Sequence, residues 1–252
     1  MVRIHLLQQL IMKIAVILTG HCRDFELVSS NLEEHLFKKY NADVYFNTWD
    51  VNQHSINSVG KFNLANHPVD KDYLISKLQP YLKNYNFESW DNYQKNRFPN
   101  ISLLEREDDV FKVNPRAIYH GTYYIERIRD QWWMVKQAWD LIENPYQYDI
   151  IMRVRFDMLF HNIELKKAKF VVPKSDIEFY KIETNWSDYF AYGEPDAMYK
   201  YFHMFNSIED MYVDYNIDIT HAEQMHEWYM KEYGNKIQSF IDSEIVYEKV
   251  KK

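Results

Sequence analysis

One cysteine, Cys22, stands in a chain of 252 residues, so no disulfide can form within it and folding needs no oxidising compartment. Long hydrophobic runs are missing as well. No window approaches the roughly 18 consecutive apolar residues of a membrane helix. The most apolar early stretch, Ile4 to Leu18, is broken by His5, Gln8, Gln9 and Lys13, with no small-residue cleavage site after it. Basic residues are in deficit, 30 Lys and Arg against 37 Asp and Glu, giving a formal net charge of −7 and a pI near 5.8. Coating a nucleic-acid backbone takes clustered Lys and Arg, which argues against nucleic acid as a partner. The loop after the first apolar run is not GxGxxG and lacks the Lys-Ser/Thr of a P-loop, and the histidines form no HExxH, which removes the dinucleotide-fingerprint, Walker and HExxH zinc readings. Neither an internal repeat nor a low-complexity linker is present. A cytoplasmic protein with no transmembrane segment is the expectation.

What the chain does have is apolar and aromatic material: 46% hydrophobic and 17% aromatic residues, with 21 Tyr, 15 Phe and 7 Trp, far from a disordered composition. A mass of 30.8 kDa suits one large domain with a sizeable buried centre. Met12-Lys13 immediately precedes the apolar run IAVIL, so residues 12–252 read as a single domain and residues 1–11 as an extension.

The order of patterns is strand, helix, strand. Lys13 to Leu18 is a continuous apolar run ending at Thr19-Gly20, suited to a central parallel strand. Phe25 to Tyr40 has helical spacing through Leu27, Leu32, Leu36 and Phe37, and Ala42 to Thr48 returns to strand character. Residues 51–117 are polar and Asn-rich, with turn signals at His67-Pro68, Phe98-Pro99 and Asn114-Pro115, and read as loops with short helical patches such as Asp72 to Leu82. Ile118 to Glu143 spaces Ile125, Ile128, Trp132, Val135, Trp139 and Ile142 on one helical face, so the Trp132-Trp133 pair reads as core. Short strands follow at Phe170 to Val172 and Ile177 to Tyr180. Pro195 opens a helix running to about Phe205, and Thr220 to Glu223 forms a capping box.

The segment Asp149 to Phe160, DIIMRVRFDMLF, reads as one buried strand carrying charge. Alternation places Arg153, Arg155 and Asp157 on one face and Val154, Phe156 and Met158 on the other. Charges are costly to bury unless paired or functional, so this face should meet something anionic, form an internal ion pair, or lie at a solvated edge. Two loops share its chemistry. Thr19-Gly20-His21-Cys22-Arg23 combines a glycine that lets backbone approach closely with an arginine fork. Asn47-Thr48-Trp49-Asp50 ends the second strand with hydroxyl, aromatic and carboxylate groups, although a helix start would also explain Asp50. Open parallel sheets bind ligands outside the carboxyl ends of their strands, so all three segments should face one crevice.

The series ILTGHCR, ADVYFNTWD, YDIIMRVRFDMLF and SDYFAYGEPDAM resembles a group of small glycosyltransferases found in viral, bacterial and phage surface-polysaccharide gene sets, related to the GT-A nucleotide-sugar transferases. The resemblance spans about residues 12–235, and RxRxD is its most specific motif. It implies an α/β, GT-A-like (Rossmann-like) fold with a mostly parallel central sheet flanked by helices. It also implies a UDP- or GDP-type nucleotide-sugar donor and a saccharide acceptor. Thr19, Gly20, His21, Arg23, Thr48, Asp50 and Arg153 would hold the nucleotide. Asp157 would take a divalent metal, Mn²⁺ or Mg²⁺, with Arg155 standing where the partner acid of a DxD motif belongs and supporting the phosphates. Asp188 would deprotonate the acceptor hydroxyl, or else cap a turn with Ser187. His221 reads as a first-turn helix residue in preference to a metal ligand. The alternatives are a non-catalytic nucleotide-sugar-binding module and a metal-dependent phosphohydrolase or nucleotidyltransferase.

Overall fold

The computed structural model describes residues 12–56, 63–96, 122–173, 187–208, 210–211, 222–231, 240–242 and 245–249. The expected extension at 1–11, the strand at 177–180 and the helix start at 220–221, with His221, lie outside the described residues.

The chain begins with β1 (Ile14–Thr19), turns into α1 (Phe25–Leu32), continues as a π-helical turn over Glu33–Lys38, and returns as β2 (Asp43–Trp49). An antiparallel pair follows, β3 (Val51–Ile56) with β4 (Asn63–Pro68), then α2 (Lys71–Leu78), β5 (Leu82–Glu88) and α3 (Trp90–Asn96). After α4 (Thr122–Trp139) come β6 (Ile150–Arg155), β7 (Met158–Asn162), β8 (Phe170–Pro173) and β9 (Phe190–Gly193). The described chain closes with α5 (Pro195–Phe202), α6 (Ala222–Lys231), β10 (Phe240–Asp242) and β11 (Val246–Lys249).

Seven of these strands form the central sheet in the order β10-β8-β9-β6-β1-β2-β5. Every neighbouring pair is parallel except the two that β9 makes, with β6 and with β8. This is an α/β architecture whose mostly parallel sheet is flanked by helices, compatible with a Rossmann-like fold. β1 is apolar along its length because both of its faces are covered. Ile14, Val16 and Leu18 join Phe25, Val28 and Leu32 of α1 in one hydrophobic layer, and Ala15 and Ile17 join Trp132, Val135 and Ala138 of α4 in the other. Burial of each such Val, Leu or Ile side chain contributes about 1.5–3 kcal/mol, so the two layers and the sheet between them are the stable body of the protein.

Two topological facts position the site. From β1 the chain steps outward through β2 to β5, then crosses to β6 on the other side of β1, so the carboxyl ends of β1 and β6 flank a switch point. And because β9 runs antiparallel to β6, pairing Phe190 with Val154, the residues entering β9 arrive at the carboxyl end of β6. Ser187, Asp188 and Tyr189 therefore meet the RxRxD segment.

Two expectations need correction. Residues 51–117 hold more than loops and short helical patches: besides α2, where a helical patch was expected, they supply the β3–β4 pair and a sheet strand, β5. That strand forms the edge of the sheet and exposes Lys83, Asn84 and Tyr85, so it carries no apolar run to announce itself. The segment 149–160 is not one strand. It breaks at Phe156-Asp157, after which β7 leaves the central sheet and pairs with β11.

Candidate functional site

Arg153 lies deepest. Its alternation puts it on the same face as Ile151 and opposite Ile17 of β1, inside the layer formed by α4 and α5, and it is 1% exposed. Nε donates to Thr19 Oγ1 at 2.9 Å, and Nη1 donates to the backbone carbonyl of Asp188. Its charge thus ties the end of β1 to the approach of β9. His226 of α6 is fully buried in the same region, packed against Trp132, Phe170 and Tyr201. Burial, with the Arg153 charge adding to it, pushes the His226 pKa down to about 3, so its ring stays neutral. Arg153 is therefore engaged as a tie between the end of β1 and the approach to β9, and protein encloses its side chain where the sequence placed a nucleotide contact.

Arg155, one alternation further out, is half-buried. It pairs with Asp157 through two parallel hydrogen bonds, Nε to Oδ1 at 2.9 Å and Nη2 to Oδ2 at 2.8 Å. The turn at Phe156-Asp157 brings them together, since it folds the carboxylate back onto the end of β6. The Tyr189 ring lies 4.8 Å from the guanidinium carbon. Asp188 completes the group. It is 3% exposed, and its Oδ2 accepts from Gln131 Nε2 of α4 at 2.6 Å. Among the described residues its Oδ1 is buried with no hydrogen-bond partner. A buried carboxylate oxygen without a donor is costly and calls for an explanation, of which a ligand hydroxyl is one.

The structure thus brings Thr19, Arg153, Arg155, Asp157 and Asp188 together at the switch point. No protein-family model matches the chain, and no curated protein matches it. The site must therefore be read from its own chemistry.

The remaining expected residues lie around β2. Gly20 takes φ +101°, a conformation that suits glycine, and its N–H donates to Asn47 O at 3.3 Å. Half-buried Arg23 follows two residues before α1. Thr48 is buried, and Asp50, which leads into β3 and starts no helix of its own, accepts at Oδ1 from the backbone N–H of Trp90 in the first turn of α3. His21 Nδ1 bonds the Val51 carbonyl at 3.1 Å. Its ring joins an aromatic cluster in which Trp49 contacts Trp90 at 4.9 Å, Tyr93 at 4.9 Å and Trp133 at 5.6 Å. Trp132 is core, as expected, but Trp133 faces the other way into this cluster. Sequence reasoning missed Trp90, Tyr93 and Trp133. The signal was Trp49 at the end of a strand, an aromatic where the chain leaves the sheet.

Beside the cluster, a cleft of about 330 Å³ opens between the starts of α1 and α2, lined by Cys22, Asn52, Val69, Asp70 and Tyr73. Burial raises the Cys22 thiol pKa, which leaves it protonated and unreactive at neutral pH.

The divalent metal implied by the resemblance has to be tested against the donors present. Both oxygens of Asp157 are engaged by Arg155. No group of three or more His, Cys, Asp or Glu side chains that could hold a metal gathers among the described residues. Mn²⁺ and Mg²⁺ favour about six oxygen ligands, and this donor set does not fit them. No described helix is long and apolar enough to cross a membrane.

Proposed function

We propose that this chain is a glycosyltransferase of GT-A-like build that moves a sugar from a UDP- or GDP-type nucleotide sugar to a saccharide acceptor. The observation that carries the reading is the pairing, at one switch point, of an oriented arginine fork with a buried carboxylate oxygen that lacks a donor. A mostly parallel α/β sheet with ligand-facing strand ends at β1 and β6 is compatible with it.

The chemistry follows from the residues. The acceptor hydroxyl oxygen attacks the anomeric carbon, the bond to the diphosphate oxygen breaks, and the nucleoside diphosphate departs with the electron pair. Asp188 Oδ1 takes the hydroxyl proton, while Gln131 on Oδ2 fixes the carboxylate plane. Arg155 stabilises the charge that grows on the leaving phosphate. Thr19 and Arg153 hold the floor beneath both. No step draws on Asp157 as a metal ligand.

The test is nucleoside diphosphate release from a panel of UDP- and GDP-sugars, with and without oligosaccharide acceptors. Asp188→Asn should lower turnover by roughly 10²–10⁴-fold, the usual contribution of a general base, while leaving nucleotide affinity within about threefold. Tight nucleotide binding with no turnover of any donor would show a binding module instead, and turnover indifferent to Asp188 would remove its role as base.

A further inference from the structure

The carboxylate assigned to a metal by resemblance is already committed, and the arginine beside it is only half committed. Asp157 is 3% exposed and accepts a two-point contact from Arg155 at 2.9 and 2.8 Å, the geometry that guanidinium and carboxylate groups prefer. A cation on Asp157 would have to take an oxygen out of that contact. Among the described residues Arg155 spends only one edge of its fork, Nε and one N–H of Nη2, on Asp157. A guanidinium has five N–H donors, so Nη1 and the outer N–H of Nη2 form a second edge of the same shape. The side chain keeps 17% exposure, and the Tyr189 ring covers one face of the plane. Carboxylate on one edge and ring on one face hold the guanidinium in a single orientation at the carboxyl end of β6.

We infer that Arg155 binds the donor diphosphate through its free edge, that Asp157 is the residue positioning Arg155 rather than a metal ligand, and that nucleotide binding needs no divalent cation. This rests on the nucleotide-sugar reading above. Asp157 and Arg155 together carry no net charge, so what the pair offers a phosphate is direction, a planar fork already aimed, more than a long-range field. Lysine in its place would keep the charge and lose the fork.

The experiment is calorimetric titration of UDP and of GDP into the full chain, once in excess EDTA and once in excess MnCl₂, together with MnCl₂ titrated alone. For whichever nucleotide binds, affinity in EDTA should stay within about threefold of that in manganese, and manganese alone should show no specific site. Arg155→Lys and Arg155→Ala should each weaken binding roughly 10- to 100-fold, the loss expected for one or two charge-assisted hydrogen bonds. Asp157→Asn should weaken it less, by the same factor with and without manganese, because it loosens the fork and removes no ion. Binding that appears only with manganese, together with loss of a manganese site in Asp157→Asn, overturns the inference and leaves the transferase reading standing. Absence of binding by both nucleotides in every condition removes the transferase reading and this inference with it. The wild-type arms need no variant, so a variant that fails to fold does not leave the question open.

Discussion

Replacing Arg153 with Met tests whether the buried arginine is a structural tie. Arg153 is 1% exposed; Met retains most of its aliphatic stem and removes the guanidinium that donates to Thr19 Oγ1 and to the Asp188 carbonyl. Each buried acceptor that loses its donor costs about 1–3 kcal/mol, so the two together cost roughly 2–6 kcal/mol, centred near 4. Relief of the desolvation of a buried charge offsets part of this and places the expectation in the lower half of the range. A chain of this size shifts by roughly 2–4 °C per kcal/mol, so the melting temperature should fall by about 5–15 °C. The assay is urea unfolding read by circular dichroism, checked by calorimetry, with the denaturant slope unchanged if only stability has moved. Thr19→Val alone should cost about 1 kcal/mol, and the double mutant less than the sum, because both changes remove the same hydrogen bond. A melting temperature within about 2 °C of wild type, or strict additivity with Thr19→Val, would refute the tie.

Three other outcomes follow from the packing. Gly193 of β9 faces Phe170 of β8, where an added Cβ would fall 2.9 Å from the Phe170 Cα and closer still to the Lys169 carbonyl. Gly193→Ala should therefore destabilise by about 1–3 kcal/mol in chemical unfolding, and a neutral result would mean that the strands are not so closely apposed. His226 is neutral in the fold with a pKa near 3, against an ordinary unfolded value of about 6.5. The unfolded chain thus binds the extra proton between those values, so stability is fully present above about pH 6.5 and falls as pH drops, by up to about 1.4 kcal/mol per pH unit. His226→Phe should flatten that slope by one proton, and an unchanged acid profile would place the effect elsewhere. Cys22, 8% exposed with a raised thiol pKa, should react with iodoacetamide at neutral pH only slowly in the folded chain and at the ordinary rate in urea.

The parts of the fold legible in the sequence are those in which burial on both faces forces a pattern. β1 is an apolar run because helices cover both sides of the sheet, β6 shows itself through Ile150, Ile151, Met152 and Val154 around its two arginines, and α4 shows its core stripe through Trp132, Val135 and Ala138. β5 was not legible, because an edge strand can be polar and LKNYNFE resembles a loop until β2 pairs with it. β10 and β11 are too short to carry a period.

In the site, alternation correctly set Arg153 and Arg155 on one face but could not tell depth along it. Two residues of rise separate a buried tie from an available fork. The two-point contact of Arg155 with Asp157 depends on the break after β6, and the meeting of Asp188 with Arg153 depends on β9 running antiparallel. Neither is local, so neither could be read from spacing. Asp50 was ambiguous for the same reason: its partner, the Trp90 N–H, lies 40 residues away.

The most direct measurement is a crystal structure of the full chain grown in EDTA and soaked with saturating UDP- and GDP-sugars. The expected result is a diphosphate at the carboxyl ends of β1 and β6, with phosphate oxygens within hydrogen-bond distance of Arg155, Asp157 still paired to the other edge of that arginine, and the anomeric carbon open on the side of Asp188. A nucleotide ordered elsewhere on the molecule, or a diphosphate at this crevice that leaves Arg155 untouched, would contradict it.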